Sequence, residues 1–265
     1  MLPANLPFRI GTTSYIIPDD ILPNVRYLAG KVRDVQLVLF ELDEDKSNLP
    51  TPELVSELRT IATQKDLSYT VHLPLDLRLA AKEGDIHISL QKAQRVIEAT
   101  RDLSPRAYIA HVDGKEEKES HDPEIIQRWQ EQAKRSIEIV SKMTGDAKLL
   151  AVENLESNPV TFNDEIIKRS GCSRCIDIGH LWLDGHDPLN YFPGRIGQTS
   201  VLHIHGINER DHKSLRHIEP EKLDAVFEVL LSHPFTGVLT IEVFSNEDFT
   251  TSMEAIHESI HRIRG

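Results

Sequence analysis

Eight short apolar runs punctuate the chain, at 8–13, 35–41, 68–73, 107–112, 148–154, 174–179, 201–205 and 238–244. Several are apolar at successive positions, as in KLLAVEN, RCIDIG and VLTIEVF, the pattern of strands covered on both faces. The run VLHIH alternates instead, with Val201, His203 and His205 on one face and Leu202 and Ile204 on the other. Stretches with helical spacing lie between the runs, at 20–29, 86–103, 123–143, 164–169, 221–231 and 249–262. One more begins at TPELVSEL, where Thr51 is the predicted N-cap, Pro52 the first helical residue and Glu53 a first-turn acid. Leu54 stands where a capping box would want Glu or Gln.

Strands covered on both faces and separated by helices imply parallel pairing through crossover units. Eight such units in 265 residues predict a single (β/α)8 TIM barrel in α/β class, one domain spanning 1–265. An open doubly wound sheet is the alternative, and it would want a glycine-rich phosphate turn after the first strand. The turn here, TTSYIIPDD, has no G-x-G-x-x-G, and no Pro-, Gly- or Ser-rich linker breaks the series.

In a parallel barrel the reacting groups gather at the carboxyl ends of the strands. From the second strand to the eighth, those ends carry Glu41, His72, His111, Glu153, Asp177 with His180, His203 with His205, and Glu242. The polar segment after the seventh adds Asp211, His212 and His217. About one residue in five is His, Asp or Glu, so a set this complete exceeds what scatter would supply. Some members have plainer explanations. Glu41 opens the acidic stretch ELDEDK, and His72 and His111 would serve as hydrogen-bonded core imidazoles. Glu153, Asp177 and Glu242 are harder to explain away, because each interrupts a strongly apolar strand and carboxylates are almost never buried unless paired or metal-bound. His186, His233, His257 and His261 read as surface residues.

Carboxylates and imidazoles converging at one barrel mouth repel or go unpaired without a cation. The donors outnumber what one tetrahedral ion uses, so two or three divalent transition-metal ions per chain are expected, zinc or manganese first. Clusters of that kind activate water and stabilise charge on a phosphoryl oxygen, which points to phosphate-ester hydrolysis. The competing expectation is a divalent-metal sugar isomerase or epimerase with Glu153 and Glu242 as its acid/base pair. A barrel that kept its shape and lost its chemistry is the third.

Composition narrows this further. Hydrophobic content of 39% and charged content of 27% suit a globular protein, and the net charge of −12 opposes a long polyanion. No nucleic-acid partner is therefore expected, while a small phosphorylated substrate stays open. MLPANLPF carries no secretory pattern and no apolar stretch approaches the ~20 residues of a membrane span, so the cytoplasm is the expected location. Cys172 and Cys175 form a lone C-x-x-C leading into a strand and read as packing residues. The loop DGKEEKESHD, 113–122, is strongly charged.

The ordered strand-end set resembles the xylose-isomerase-like barrel superfamily that includes endonuclease IV, the apurinic-site endonuclease. The resemblance implies a trinuclear zinc site held by His72, His111, Glu153 (followed by Asn154), the Asp177-x-x-His180 pair, His205 at the end of the seventh strand, His212 and Glu242. The family's Asp-Arg-His segment is met out of order by Arg210, Asp211 and His212, which leaves the third metal position without its expected Asp. The stretch RIGTTSYIIPDDILPNVRYLAGKVRDVQLVLFE resembles the opening of cobamide-remodelling phosphodiesterases in the same superfamily, enzymes that hydrolyse the nucleotide-loop phosphodiester of cobamides such as adenosylcobalamin. That likeness implies a small-molecule phosphodiester substrate, with Glu153, Glu242 and His212 as catalytic groups. Loop position and charge nominate Arg78, Lys213 and Arg216 to pair with the phosphate, and Tyr15 and Glu41 to shape the substrate pocket.

Overall fold

Parallel strands β1 (Arg9–Thr13), β2 (Asp34–Val38), β3 (Ser68–His72), β4 (Tyr108–Ala110), β5 (Leu150–Glu153), β6 (Ser173–Asp177) and β7 (Thr199–Ile204) follow one another with helices between them. A short antiparallel hairpin, β8 (Gly206–Asn208) and β9 (Arg210–Lys213), interrupts the series before β10 (Val238–Ile241). The eight parallel strands close into a barrel in the order β1-β10-β7-β6-β5-β4-β3-β2. The structure is a computed structural model describing residues 5–41, 47–79, 83–112, 120, 122–233 and 235–265, with 83–87 described by backbone alone. Most of the charged loop 113–122 and of the acidic stretch after Glu41 lies outside the described residues.

Local chemistry fixes the helix starts. Thr51 Oγ1 accepts from Leu54 N at 3.3 Å and caps the helix Pro52–Lys65, as predicted. Asp122 caps Pro123–Thr144 in the same manner. Two segments depart from the sequence reading. The sixth strand stops at Asp177 rather than Gly179, because the Asp177 carboxylate accepts from His180 N at 2.7 Å and starts the helix Ile178–Leu183. The segment after the seventh strand is the β8–β9 hairpin rather than a loop, turning at Glu209 with φ 52°.

Side chains alternate inward and outward along each strand. Outward residues such as Leu37, Val71, Ile176, Leu202 and Ile241 pack against the helices in one large core, where each such side chain is worth roughly 1.5–3 kcal/mol of burial. Ala107, Ile109, Ala151, Cys175 and Val201 form a separate small cluster within the barrel. This plug of mostly small side chains supports the next inward layer, two residues further along each strand: His111, Glu153, Asp177 and His203. Both cysteines are free and buried, and burial pushes both thiols up, as suits packing residues. Among the described residues no helix is long and apolar enough to cross a membrane.

Candidate metal centre

The layer above the plug gathers donors into three adjoining groups. Glu153, Asp177, His203 and Glu242 form the deep group, His72, His111 and Glu153 a flanking group, and His180, His205 and His212 a rim group. Within each group the donor atoms lie within 4.8 Å of one another, and Cys175 stands near Glu153 and His203 as well. Glu153 joins two groups. Its Oε2 lies 3.3 Å from His72 Nε2 and 3.1 Å from His111 Nε2, while its Oε1 lies 3.1 Å from His203 Nδ1. Asp177 joins the deep group to the rim: its Oδ1 is 3.3 Å from His205 Nε2 and its Oδ2 is 3.5 Å from His180 Nδ1. Glu242 Oε2 completes the circuit at 3.0 Å from His203 Nδ1 and 3.4 Å from His212 Nε2.

Backbone acceptors orient the rings. His72 Nδ1 is 2.7 Å from Leu73 O, His180 Nδ1 is 3.1 Å from Asn154 O, and His205 Nδ1 is 3.2 Å from Gly206 O. A carbonyl only accepts, so at His72 the tautomer it favours donates Nδ1–H and leaves Nε2 facing Glu153, whereas His205 Nδ1 also accepts from His212 N–H at 3.1 Å. Outer partners of this kind orient metal-ligating histidines. Asn154 braces the same region by donating to Asp177 O at 3.0 Å and accepting from Asp177 N at 2.9 Å. Asp177 Oδ2 and His205 Nε2 are buried without a hydrogen-bond partner. Buried groups of metal-ligating type left without a hydrogen-bond partner fit divalent ions, and these residues have the chemistry to hold them.

The charges are interlocked. Burial pushes the Glu153 carboxyl up, and the His203 and His111 imidazoles outweigh it and hold it well below the usual range. Asp177 is likewise held low against its burial by His180 and His205, and Glu242 by His203 and His212. Burial opposes the charge on His180, and Asp177 with Glu153 overcomes it and raises the imidazole to about 9. His212 reaches about 9 against its own burial through Glu242. Positive charge is thus demanded throughout, whether it comes as protons or as cations.

The rim depends on two backbone features. Gly179 lets the helix Ile178–Leu183 pass over His205: a Cβ there would collide with the imidazole. His212 has φ 54°, a region non-glycine residues seldom occupy, and its ring stacks on His205 with centroids 4.4 Å apart. Phe244 covers the outer side of His212 at 5.4 Å.

Every residue expected to hold metal, namely His72, His111, Glu153, Asp177, His180, His205, His212 and Glu242, falls in one of the three groups. His203, named at a strand end but left out of the expected ligand set, is a member of the deep group; His205, expected as the family's seventh-strand ligand, belongs to the rim group instead. VLHIH itself offered both imidazoles on one face, and only the strand's end at Ile204 separates their levels. Asp211 lies 3.3 Å from His212 Nδ1, outside the groups, and the rim group consists of three imidazoles.

The substrate-side residues scatter more. Glu41 is buried and accepts from Arg95 Nε at 2.7 Å. Arg78 is exposed, its backbone N–H donating to Ser89 Oγ at 2.7 Å. Arg216 is turned onto the last helix, where it pairs with Glu258 at 2.6 Å and Glu254 at 3.4 Å. Lys213 is 3.8 Å from Asp248 and lines a cavity of about 590 Å³ with Arg210 and His212. Tyr15 accepts from Asn48 Nδ2 at 2.9 Å and meets Phe40 edge-on at 5.7 Å. Those two rings and Phe244 wall an adjoining cavity of about 430 Å³, an aromatic shelf of which the sequence reading singled out only Tyr15.

No curated protein sequence matches the chain. The fold is similar to endonuclease IV from Thermus thermophilus, at 15% identity and TM-score 0.76 over 96% of this chain and 99% of that one. It is similar to a D-tagatose 3-epimerase-like protein at 18% identity and TM-score 0.75, over 97% and 98% of the two chains. It is also similar to the 3-keto-D-glucoside 4-epimerase YcjR from E. coli at 14% identity and TM-score 0.73, over 96% and 99%. Identities this low speak for the fold alone, and the neighbours divide between two chemistries. The profile of one family, described as the xylose isomerase-like TIM barrel, matches residues 32–264. With its closed parallel barrel and that match over most of its length, the chain belongs to the xylose isomerase-like TIM-barrel family.

Proposed function

We propose that the protein is a divalent-metal-dependent phosphodiesterase acting on a small molecule, with the nucleotide-loop phosphodiester of a cobamide such as adenosylcobalamin as its substrate. The observation that carries the hydrolytic reading is the excess of donors: three adjoining groups linked by Glu153 and Asp177, when about four donors satisfy one tetrahedral ion. Ions held side by side, when bound, polarise a phosphoryl oxygen and make water a nucleophile near neutral pH. Glu153 holds two groups in fixed relation, and Asp177 and Glu242 tie the rim to the deep group. His212 is partly exposed at the mouth, where it and Glu242 meet the reacting phosphate. Lys213 and Arg210 share its cavity and supply positive charge to a diester. Phe244 lines both that cavity and the aromatic shelf, so a planar or apolar substituent has a surface beside the phosphate. A net charge of −12 suits a small substrate better than a polynucleotide.

A second reading has its own support. Glu153, Asp177, His203 and Glu242 by themselves suffice for one ion, with Glu153 and Glu242 available as an acid/base pair across a bound ketose. That arrangement would make the protein a sugar epimerase or isomerase. The test is to assay metal-reconstituted protein on bis(p-nitrophenyl) phosphate, adenosylcobalamin and a panel of ketohexoses. Diester hydrolysis with cobamide cleavage is expected. Ketose interconversion with no diester turnover would overturn the proposal in favour of the second reading.

A further inference from the structure

His203 is oriented differently from the other inward histidines. His72 and His180 hold Nδ1 against a backbone carbonyl, and His205 Nδ1 lies between Gly206 O and the His212 N–H that donates to it. His203 turns Nε2 away, 2.8 Å from Gln36 Oε1, and points Nδ1 at the carboxylates. Nδ1 lies 3.0 Å from Glu242 Oε2, 3.1 Å from Glu153 Oε1 and 3.7 Å from Asp177 Oδ2. A lone pair among three carboxylate oxygens is tolerable only with a proton or a cation between them.

Gln36 decides which nitrogen is turned toward the carboxylates. Its amide spans two partners: Oε1 faces His203 Nε2, and Nε2 donates to Glu242 Oε1 at 3.1 Å. Flipping the amide would put oxygen against carboxylate and NH2 against N–H, so only one orientation satisfies both ends. Gln36 is fully buried in β2, three strands round the barrel from His203 in β7, and it is the amide rather than a backbone carbonyl that meets His203 Nε2. A buried amide in a barrel interior is costly unless both ends are satisfied, and here both ends are satisfied by residues of the deep group.

We infer that Gln36 is a positioning residue for the metal centre: it selects Nδ1 of His203 as the ligating nitrogen and draws Glu242 Oε1 aside so that Oε2 faces the ion. The inference rests on the deep group binding metal and holds for either chemistry above. The test compares wild type with Gln36→Met, which matches the length but has neither donor nor acceptor of comparable strength, and with Gln36→Glu, which keeps the acceptor and loses the donor. The readouts are zinc affinity by competition with a chromophoric chelator, and the ¹⁵N shifts of His203 in metal-free and zinc-loaded protein. Gln36→Met should bind the deep-group ion about 10–100-fold more weakly and mix the two His203 tautomers. Gln36→Glu should keep the Nε2–H tautomer. Wild-type zinc affinity and an unmixed tautomer in Gln36→Met would overturn the inference. If that variant fails to fold, the wild-type spectrum decides, because zinc on Nε2 of His203, or no zinc bound at all, overturns it too. Zinc on Nδ1 without diester hydrolysis would sink only the proposed function.

Discussion

Glu153, Asp177 and His203 come from the neighbouring strands β5, β6 and β7, Glu242 directly follows β10 beside them, and each is at most 5% exposed. His180, His205 and His212 come from a helix start, a strand end and a hairpin, and His212 is partly exposed. The pleat alone holds the deep group at one level, since inward positions recur every second residue and the plug beneath fills the barrel. The rim group exists only because Gly179 leaves room for His205 and because His212 accepts a left-handed backbone. The deep group should therefore survive damage to the rim, while the rim should not survive damage to Asp177 and Glu242, which tie the two together.

The largest effect is expected at the residue that the deep and flanking groups share. Glu153→Gln removes a carboxylate that meets His72, His111 and His203. Turnover should fall by at least about 100-fold, with loss of bound metal, checked by steady-state kinetics and elemental analysis. Gly179→Ala should act on one side only. The new Cβ collides with His205, so the rim should lose its ion while the deep group keeps its own; a variant with undiminished metal content would contradict the separation.

A smaller effect concerns protons. His180 and His212 have pKa values of about 9 against 6.5 unfolded, so the metal-free folded chain binds their protons more tightly than the unfolded chain does. The stability this provides is fully present below about pH 6.5 and is lost as pH rises through about 9. Metal must displace those protons, so rim affinity should climb over the same window. Calorimetry of zinc binding at pH 7, in buffers of different ionisation enthalpy, should show roughly two protons released on filling the rim. The mildest expected change is at the shelf. Phe244→Ala should raise KM for an aromatic diester by about 2–10-fold and leave kcat near wild type, seen by comparing aryl with alkyl diesters.

The contrast between the two groups also explains what the sequence alone makes legible. Glu153, Asp177 and Glu242 each break an apolar strand, and period-two alternation assigns them inward, so strand-end position was enough to find them. His203 and His205 share a face in VLHIH, and alternation cannot say which one the strand end leaves beside Glu153. Gln36 was invisible for a different reason: an amide in VQLVLFE carries no charge signature, and its role lies wholly in two contacts inside the barrel. Arg216 looked like a phosphate partner by loop position, but helix Asn246–Arg264 offers it Glu254 and Glu258, a pairing no local pattern announces. The hairpin β8–β9 was hidden by polar composition, because its register depends on Glu209 and His212 taking positive φ.

The central claim is that the barrel mouth is a multinuclear metal site organised on Glu153. Elemental analysis of protein purified without chelator, run beside Glu153→Gln, tests it most directly. About two to three transition-metal ions per wild-type chain, falling in the variant, is the predicted result. A wild-type protein that takes up no transition metal, even when zinc or manganese is supplied above neutral pH, would contradict it.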